Sequence, residues 1–138
     1  MNSIPEAQDK AVILVIDDDP DIIAGLAMVL SAGGYISNCC RDAEGAVECV
    51  RKTTPDLVIS DINLGGQSGL QLCERLKREE GLFDVPFMFL SGAQIPDIIR
   101  RSHEAGGTYY LRKPFDPQVL LELVDKALWM PHLVAGRQ

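Results

Sequence analysis

The sequence has no run long enough to cross a bilayer: its longest purely apolar stretch, Ala11 to Ile16, is six residues, against the roughly 20 that a membrane-spanning helix needs. The N-terminal MNSIPEAQDK has neither the basic start nor the apolar stretch of an export signal, so the expected location is cytoplasmic. Positive charge is scarce as well. Thirteen Lys and Arg stand against 20 Asp and Glu, a net charge of −7, with a pI near 4.7. A nucleic-acid surface needs clustered cations to displace phosphate counterions, so direct binding of DNA or RNA is not expected. Cysteine is limited to Cys39, Cys40, Cys49 and Cys73, with no pair at the two-residue spacing of zinc and redox motifs; in a reducing compartment these read as small apolar thiols. There is no internal repeat, low-complexity tract or long Gly/Ser linker. With 46% apolar residues in a length of 138, one domain can bury a core without metal or disulfide staples.

What the sequence does have is alternation. AVILVI (11–16), DLVIS (56–60) and VPFMFL (85–90) are continuous apolar runs ending at polar or acidic residues, the pattern of strands covered on both faces. YISNC (35–39) and TYYLR (108–112) are weaker strands. Helical patterns lie between them. Asp19 can cap a helix that has Pro20 in its first turn and carries Ile22, Ile23, Leu26 and Leu30 on one face before Gly33-Gly34. A second helix follows Asp42, and others fit Ser68 to Glu80, Pro96 to Ala105 and Pro117 to Met130. Five β-α units predict an α/β domain over residues 11–130, a parallel sheet with helices on both faces, after a lead-in (1–10) and before a short tail (131–138). In such sheets the functional site lies at the carboxyl ends of the strands.

Asp17 and Asp18 end the first strand, Asp61 the third and Ser91 the fourth, while Lys113 follows the fifth. Three carboxylates repel one another unless something positive sits among them, and an oxygen-only donor set suits magnesium better than zinc or copper. A carboxylate can also attack phosphorus if a metal and a fixed cation neutralise the transferring group, with Asp61 as nucleophile and Lys113 as the cation. The Ser91 hydroxyl and the amides of Gly92 and Ala93 can donate to phosphoryl oxygens.

VIDDDP (15–20), PDLVISDINLGGQSGLQL (55–72), FLSGA (89–93) and YLRKPF (110–115) together resemble the receiver domains of two-component response regulators. That resemblance implies a flavodoxin-like (βα)5 fold with strand order 2-1-3-4-5. It implies that Asp61 accepts phosphate from a phosphohistidine of a histidine kinase or phosphotransfer protein. Asp18, the Asp61 carboxylate and the Asn63 backbone carbonyl would hold Mg2+, with Asp17 assisting through a water. Lys113 would contact the phosphoryl group, aimed inward by a cis Lys113-Pro114 bond, Ser91 would move to bond it, and Tyr110 would be the aromatic that reports the switch. The output surface would be the fourth helix, fifth strand and fifth helix, where Arg100, Arg101 and His103 offer charge to a partner protein. A phosphorylation-linked dimer is compatible with this scheme.

Plainer roles stand beside these. Asp19 is a helix cap, Tyr109 an exposed neighbour of Tyr110, and His103 a surface histidine. Gly65 stands where the family commonly has proline, which predicts a less constrained loop after Asp61 and leaves the chemical residues untouched. An aspartate-nucleophile phosphatase is disfavoured because Asn63, two residues after Asp61, cannot do acid-base work; the chain is not expected to be a turnover enzyme. A receiver fragment of a longer regulator, and a phosphate-independent adaptor, are the remaining alternatives.

Overall fold

A computed structural model describes residues 10–92 and 97–136, with side chains through Trp129. Seven strands and five helices follow the order β1 (Val12–Ile16), α1 (Pro20–Ala32), β2 (Ile36–Cys40), α2 (Ala43–Lys52), β3 (Leu57–Asp61), β4 (Asn63–Leu64), β5 (Gln67–Ser68), α3 (Gly69–Glu79), β6 (Phe87–Ser91), α4 (Ile98–Glu104), β7 (Tyr109–Arg112) and α5 (Pro117–Gly136). The main sheet is parallel, in the order β2-β1-β3-β6-β7. Counting only its five strands, this is the expected 2-1-3-4-5 order of the flavodoxin-like fold.

The apolar runs work on both faces because side chains alternate along each strand. Ile13, Val15, Leu57, Ile59, Met88 and Leu90 pack with Leu26 and Leu30 of α1 and Leu120 and Val124 of α5. Leu14, Ile16, Val58, Phe87 and Phe89 point the other way, into a core closed by α2, α3 and α4. α1 starts as expected: Asp19 accepts the Asp21 N–H and Pro20 is the first helical residue. α2 is capped by Asp42 through the Gly45 N–H, and α3 by Ser68 through the Gln71 N–H.

Three expectations change, and a fourth falls outside the described residues. The loop after Asp61 is not loosely constrained, because Asn63–Leu64 pairs antiparallel with Gln67–Ser68 and Gly65 and Gly66 take positive φ between them, at 62° and 98°. Two such residues are what a tight two-residue hairpin turn requires. Tyr109 is half-buried rather than exposed, because α5 covers its face of the sheet, where it packs with Leu111 and Phe115. The α5 backbone continues past the expected end at Met130 to Gly136, most of the way through the presumed tail; Pro131 removes one N–H but holds a φ compatible with helix. Lastly, α4 begins at Ile98, and the expected start at Pro96, like the Ala93 amide, lies outside the described residues.

Candidate functional site

The carboxyl ends of β1, β3 and β6 and the segment after β7 meet at one pocket of about 360 Å³, lined by Asp17, Asp18, Asp61, Asn63, Ser91 and Lys113 among others. Asp17 is fully buried. Its N–H donates to the Cys40 carbonyl at 3.2 Å, which ties it to the end of β2. Its Oδ1 accepts the Asp19 N–H at 2.9 Å and its Oδ2 accepts from Lys113 Nζ at 2.8 Å. Asp61, also buried, accepts the Asn63 N–H at Oδ1, 3.0 Å, and Lys113 Nζ at Oδ2, 2.9 Å. One ammonium therefore bridges two carboxylates that come from different strands. The Lys113-Pro114 bond is cis, as expected, and the Lys113 N–H donates to the Ser91 carbonyl at 2.8 Å.

The electrostatics follow from burial and this bridge. Burial pushes the Asp17 carboxyl up from its ordinary value, although its hydrogen bond to Lys113 pulls the other way. Burial also opposes the Lys113 charge, but Asp17 and Asp61 outweigh it and hold the ammonium above its usual value. Both directions are physically consistent: Asp17 is the more deeply buried partner, and it shares its ammonium with Asp61. Asp18 is exposed beside them, and one oxygen from each of Asp17, Asp18 and Asp61 lies within 4.8 Å of the others. Three carboxylates against one ammonium leave a formal excess of 3 − 1 = 2 negative charges. All the donors are hard oxygens, so the residues present fit a magnesium ion.

Ser91 is 4% exposed at the end of β6 and lines the pocket. Tyr110 does not line it; it sits next to Phe89 in the β6–β7 register and packs against the core beneath α2, α3 and α4. Arg100, Arg101 and His103 are exposed on α4. Two glycines matter more than sequence reasoning allowed. A Cβ at Gly69 would lie 2.0 Å from the Asp61 carbonyl oxygen, so only glycine lets α3 start against the end of β3. A Cβ at Gly65 would lie 3.0 Å from Asp18 Oδ2, so the departure at 65 does touch a candidate ligand after all. Arg41 was also missed; its Nη2 donates to the Asp18 carbonyl at 3.3 Å. A cation just after a strand and before a capping Asp carries no signal in sequence, because its target lies in the loop after a different strand.

Against this geometry, residues 13–125 match the family model of the response regulator receiver domain. The chain belongs to that family. It is similar to the DNA-binding response regulator MtrA of Mycolicibacterium smegmatis, 34% identical over 84% of this chain and 50% of MtrA. It is 33% identical to the phosphate regulon transcriptional regulatory protein PhoB of Pseudomonas aeruginosa, over 84% of this chain and 51% of PhoB. The chain thus spans about half the length of these two relatives. Among solved structures it resembles a putative response regulator from Chloroflexus aurantiacus (TM-score 0.81, 31% identity, 87% of this chain and 98% of that one). It also resembles the chemotaxis protein CheY4 of Vibrio cholerae (TM-score 0.81, 25% identity, 86% and 99%).

Proposed function

We propose that this chain is a phosphorylation-dependent signalling switch in which Asp61 accepts a phosphoryl group from a phosphohistidine of a histidine kinase or phosphotransfer protein. The observation that carries the reading is the Lys113 ammonium, hydrogen-bonded at once to Asp17 and Asp61 in the pocket where three carboxylates gather. The Asp61 carboxylate oxygen attacks phosphorus, the P–N bond breaks, and the imidazole keeps the electron pair and takes a proton. Asp17, Asp18, the Asp61 carboxylate and the Asn63 backbone carbonyl would hold Mg2+, which when bound supplies positive charge to the phosphoryl oxygens. Lys113 neutralises a second oxygen, and Ser91 donates to a third from its place at the end of β6.

The acyl phosphate adds nearly two negative charges and three acceptor oxygens. It draws Ser91 and Lys113 inward, Tyr110 moves into the space beside Ser91, and the α4-β7-α5 surface changes for a downstream protein partner. Turnover is confined to the chain's own acyl phosphate, since Asn63 offers no acid or base for outside substrates. A second reading is favoured by one fact: the relatives are about twice as long as the matched region. In it the same switch is the receiver part of a longer regulator and acts on an effector domain. Among the described residues no helix is long and apolar enough to cross a membrane.

The test is intact mass after incubation with Mg2+ and acetyl phosphate. Wild type gains one phosphoryl group, and the gain is lost without Mg2+ and in Asp61→Ala. A folded wild type that gains nothing, and that a beryllium fluoride mimic does not bind, removes the phosphoacceptor role and leaves a phosphate-independent adaptor.

A further inference from the structure

The β4-β5 hairpin is tied down along both of its strands. Asn63 pairs with Ser68 and Leu64 with Gln67, which leaves Gly65 and Gly66 as the tip. At the base, the Asn63 N–H donates to Asp61 Oδ1 at 3.0 Å and the Gly69 N–H donates to the Ile62 carbonyl at 2.7 Å. On the far strand, Gln67 Oε1 accepts the Ala43 N–H at 3.2 Å, which joins the hairpin to the start of α2. The tip rests against Asp18. A Cβ at 65 would stand 3.0 Å from Asp18 Oδ2, 3.8 Å from its Cγ and 4.0 Å from its Cβ, whereas a Cβ at 66 would meet nothing within 4 Å. Both glycines have positive φ, so position 66 needs only backbone freedom, while position 65 also needs the side chain to be missing. The Asp18 backbone is held separately, through the Arg41 bond to its carbonyl.

We propose that Gly65 determines cation specificity: by having no side chain it leaves the Asp18 carboxylate the place from which it meets a small octahedral ion, so that the pocket selects Mg2+ over Ca2+. The inference rests on the magnesium reading of the pocket above. Mg2+ takes oxygens at about 2.0–2.1 Å in near-ideal octahedral geometry, whereas Ca2+ takes more of them at about 2.3–2.6 Å in flexible arrangements. A ligand oxygen displaced by a few tenths of an ångström therefore harms Mg2+ binding more than Ca2+ binding. A Cβ at 65 would force a displacement of that size. Asp18 is the part that gives, because its side chain is exposed and the hairpin is anchored. If the tip gave way instead, it would carry Asn63 with it, whose backbone carbonyl is another proposed ligand. Asp17 and Asp61 have little room to compensate, since both are buried and bound to Lys113. Gly65 acts through Asp18 and is a positioning residue.

The experiment titrates Mg2+ and, separately, Ca2+ into the full chain by isothermal calorimetry, for wild type, Gly65→Ala, Gly66→Ala, Asp18→Ala and the double variant Gly65→Ala/Asp18→Ala. Gly66→Ala is the control for backbone strain, because it puts alanine at a positive φ with open space around its Cβ. Gly65→Ala should lower Mg2+ affinity about fivefold and Ca2+ affinity by less than about twofold, so that the preference for Mg2+ narrows. Gly66→Ala should keep the wild-type ratio of the two affinities. With Asp18→Ala already in place, adding Gly65→Ala should change Mg2+ affinity no further, since the contact it perturbs is gone. An unchanged ratio in Gly65→Ala, or the same change in Gly66→Ala, overturns the specificity role and leaves Gly65 as a turn residue. A full effect of Gly65→Ala on top of Asp18→Ala overturns the route through Asp18. A wild type that binds no Mg2+ overturns the magnesium reading and this inference with it, whereas Mg2+ binding that is indifferent to position 65 leaves that reading standing.

Discussion

Helices α1 and α4 both follow a strand that carries a site residue at its end, and both begin at an aspartate, yet they are held very differently. α1 has 13 residues, an extended N-cap Asp19 that accepts a backbone N–H, and Leu26 and Leu30 fully buried. α4 has seven, and its N-cap Asp97 is left-handed at φ 61°, with no cap hydrogen bond from its side chain. The Asp97 carboxylate pairs with exposed Arg100 instead. Ser102, on the buried face of α4, is 3% exposed and has a hydroxyl with no hydrogen-bond partner among the described residues. Buried unpaired polar groups, a missing cap and few turns each lower the cost of local rearrangement. The lesson is that the α1 side fixes Asp17 and Asp18, while the α4 side is the part that can answer a change at Ser91.

The contrast breaks first if core truncation costs the same on both sides. Leu26→Ala should destabilise by about 3 kcal/mol, because its site is fully enclosed between α1 and the sheet. Ile98→Ala, on the short helix and 7% exposed, should cost about half of that, since a loosely held helix can settle into the space. Urea unfolding of the two variants measures the difference, and equal losses would mean that α4 is as firmly packed as α1.

Much of this division was legible in sequence. Three apolar runs and two weaker patterns located the five main strands to within a residue or two, and Asp19-Pro20 announced the start of α1 through local chemistry alone. The acidic pocket was legible too, because a parallel sheet brings strand ends together whatever the loops do. What could not be read depends on contacts between distant segments. Gly69 looks like any glycine until the Asp61 carbonyl is placed 2.0 Å from its absent Cβ. Tyr109 looks exposed until α5 is laid over β7. The β4-β5 hairpin was hidden by expecting glycine to loosen a loop, when two adjacent positive-φ residues instead close a turn.

The caps give a smaller and sharper test. Asp19→Ala should cost about 1 kcal/mol through loss of its bond to the Asp21 N–H. Asp97→Gly should leave stability unchanged within about 0.5 kcal/mol, because relief at a left-handed residue offsets the greater freedom of the unfolded glycine. Thermal unfolding at fixed pH reads both. A loss at 97 equal to that at 19 would show that the Asp97 carboxylate does hold α4.

The smallest expected effect is the most telling, because its sign differs from the others. Ser102→Ala removes a buried hydroxyl that has no partner among the described residues and places a better helix former in α4, with almost no change in volume. Where a hydroxyl is paired, its removal costs about 1 kcal/mol; where it is unpaired, its desolvation cost is relieved. Ser102→Ala should therefore raise the melting temperature slightly, by a degree or a few, in the unphosphorylated protein. If the same substitution lowers stability by 1 kcal/mol or more, the hydroxyl is paired in solution, and α4 loses one of the three features that set it apart from α1.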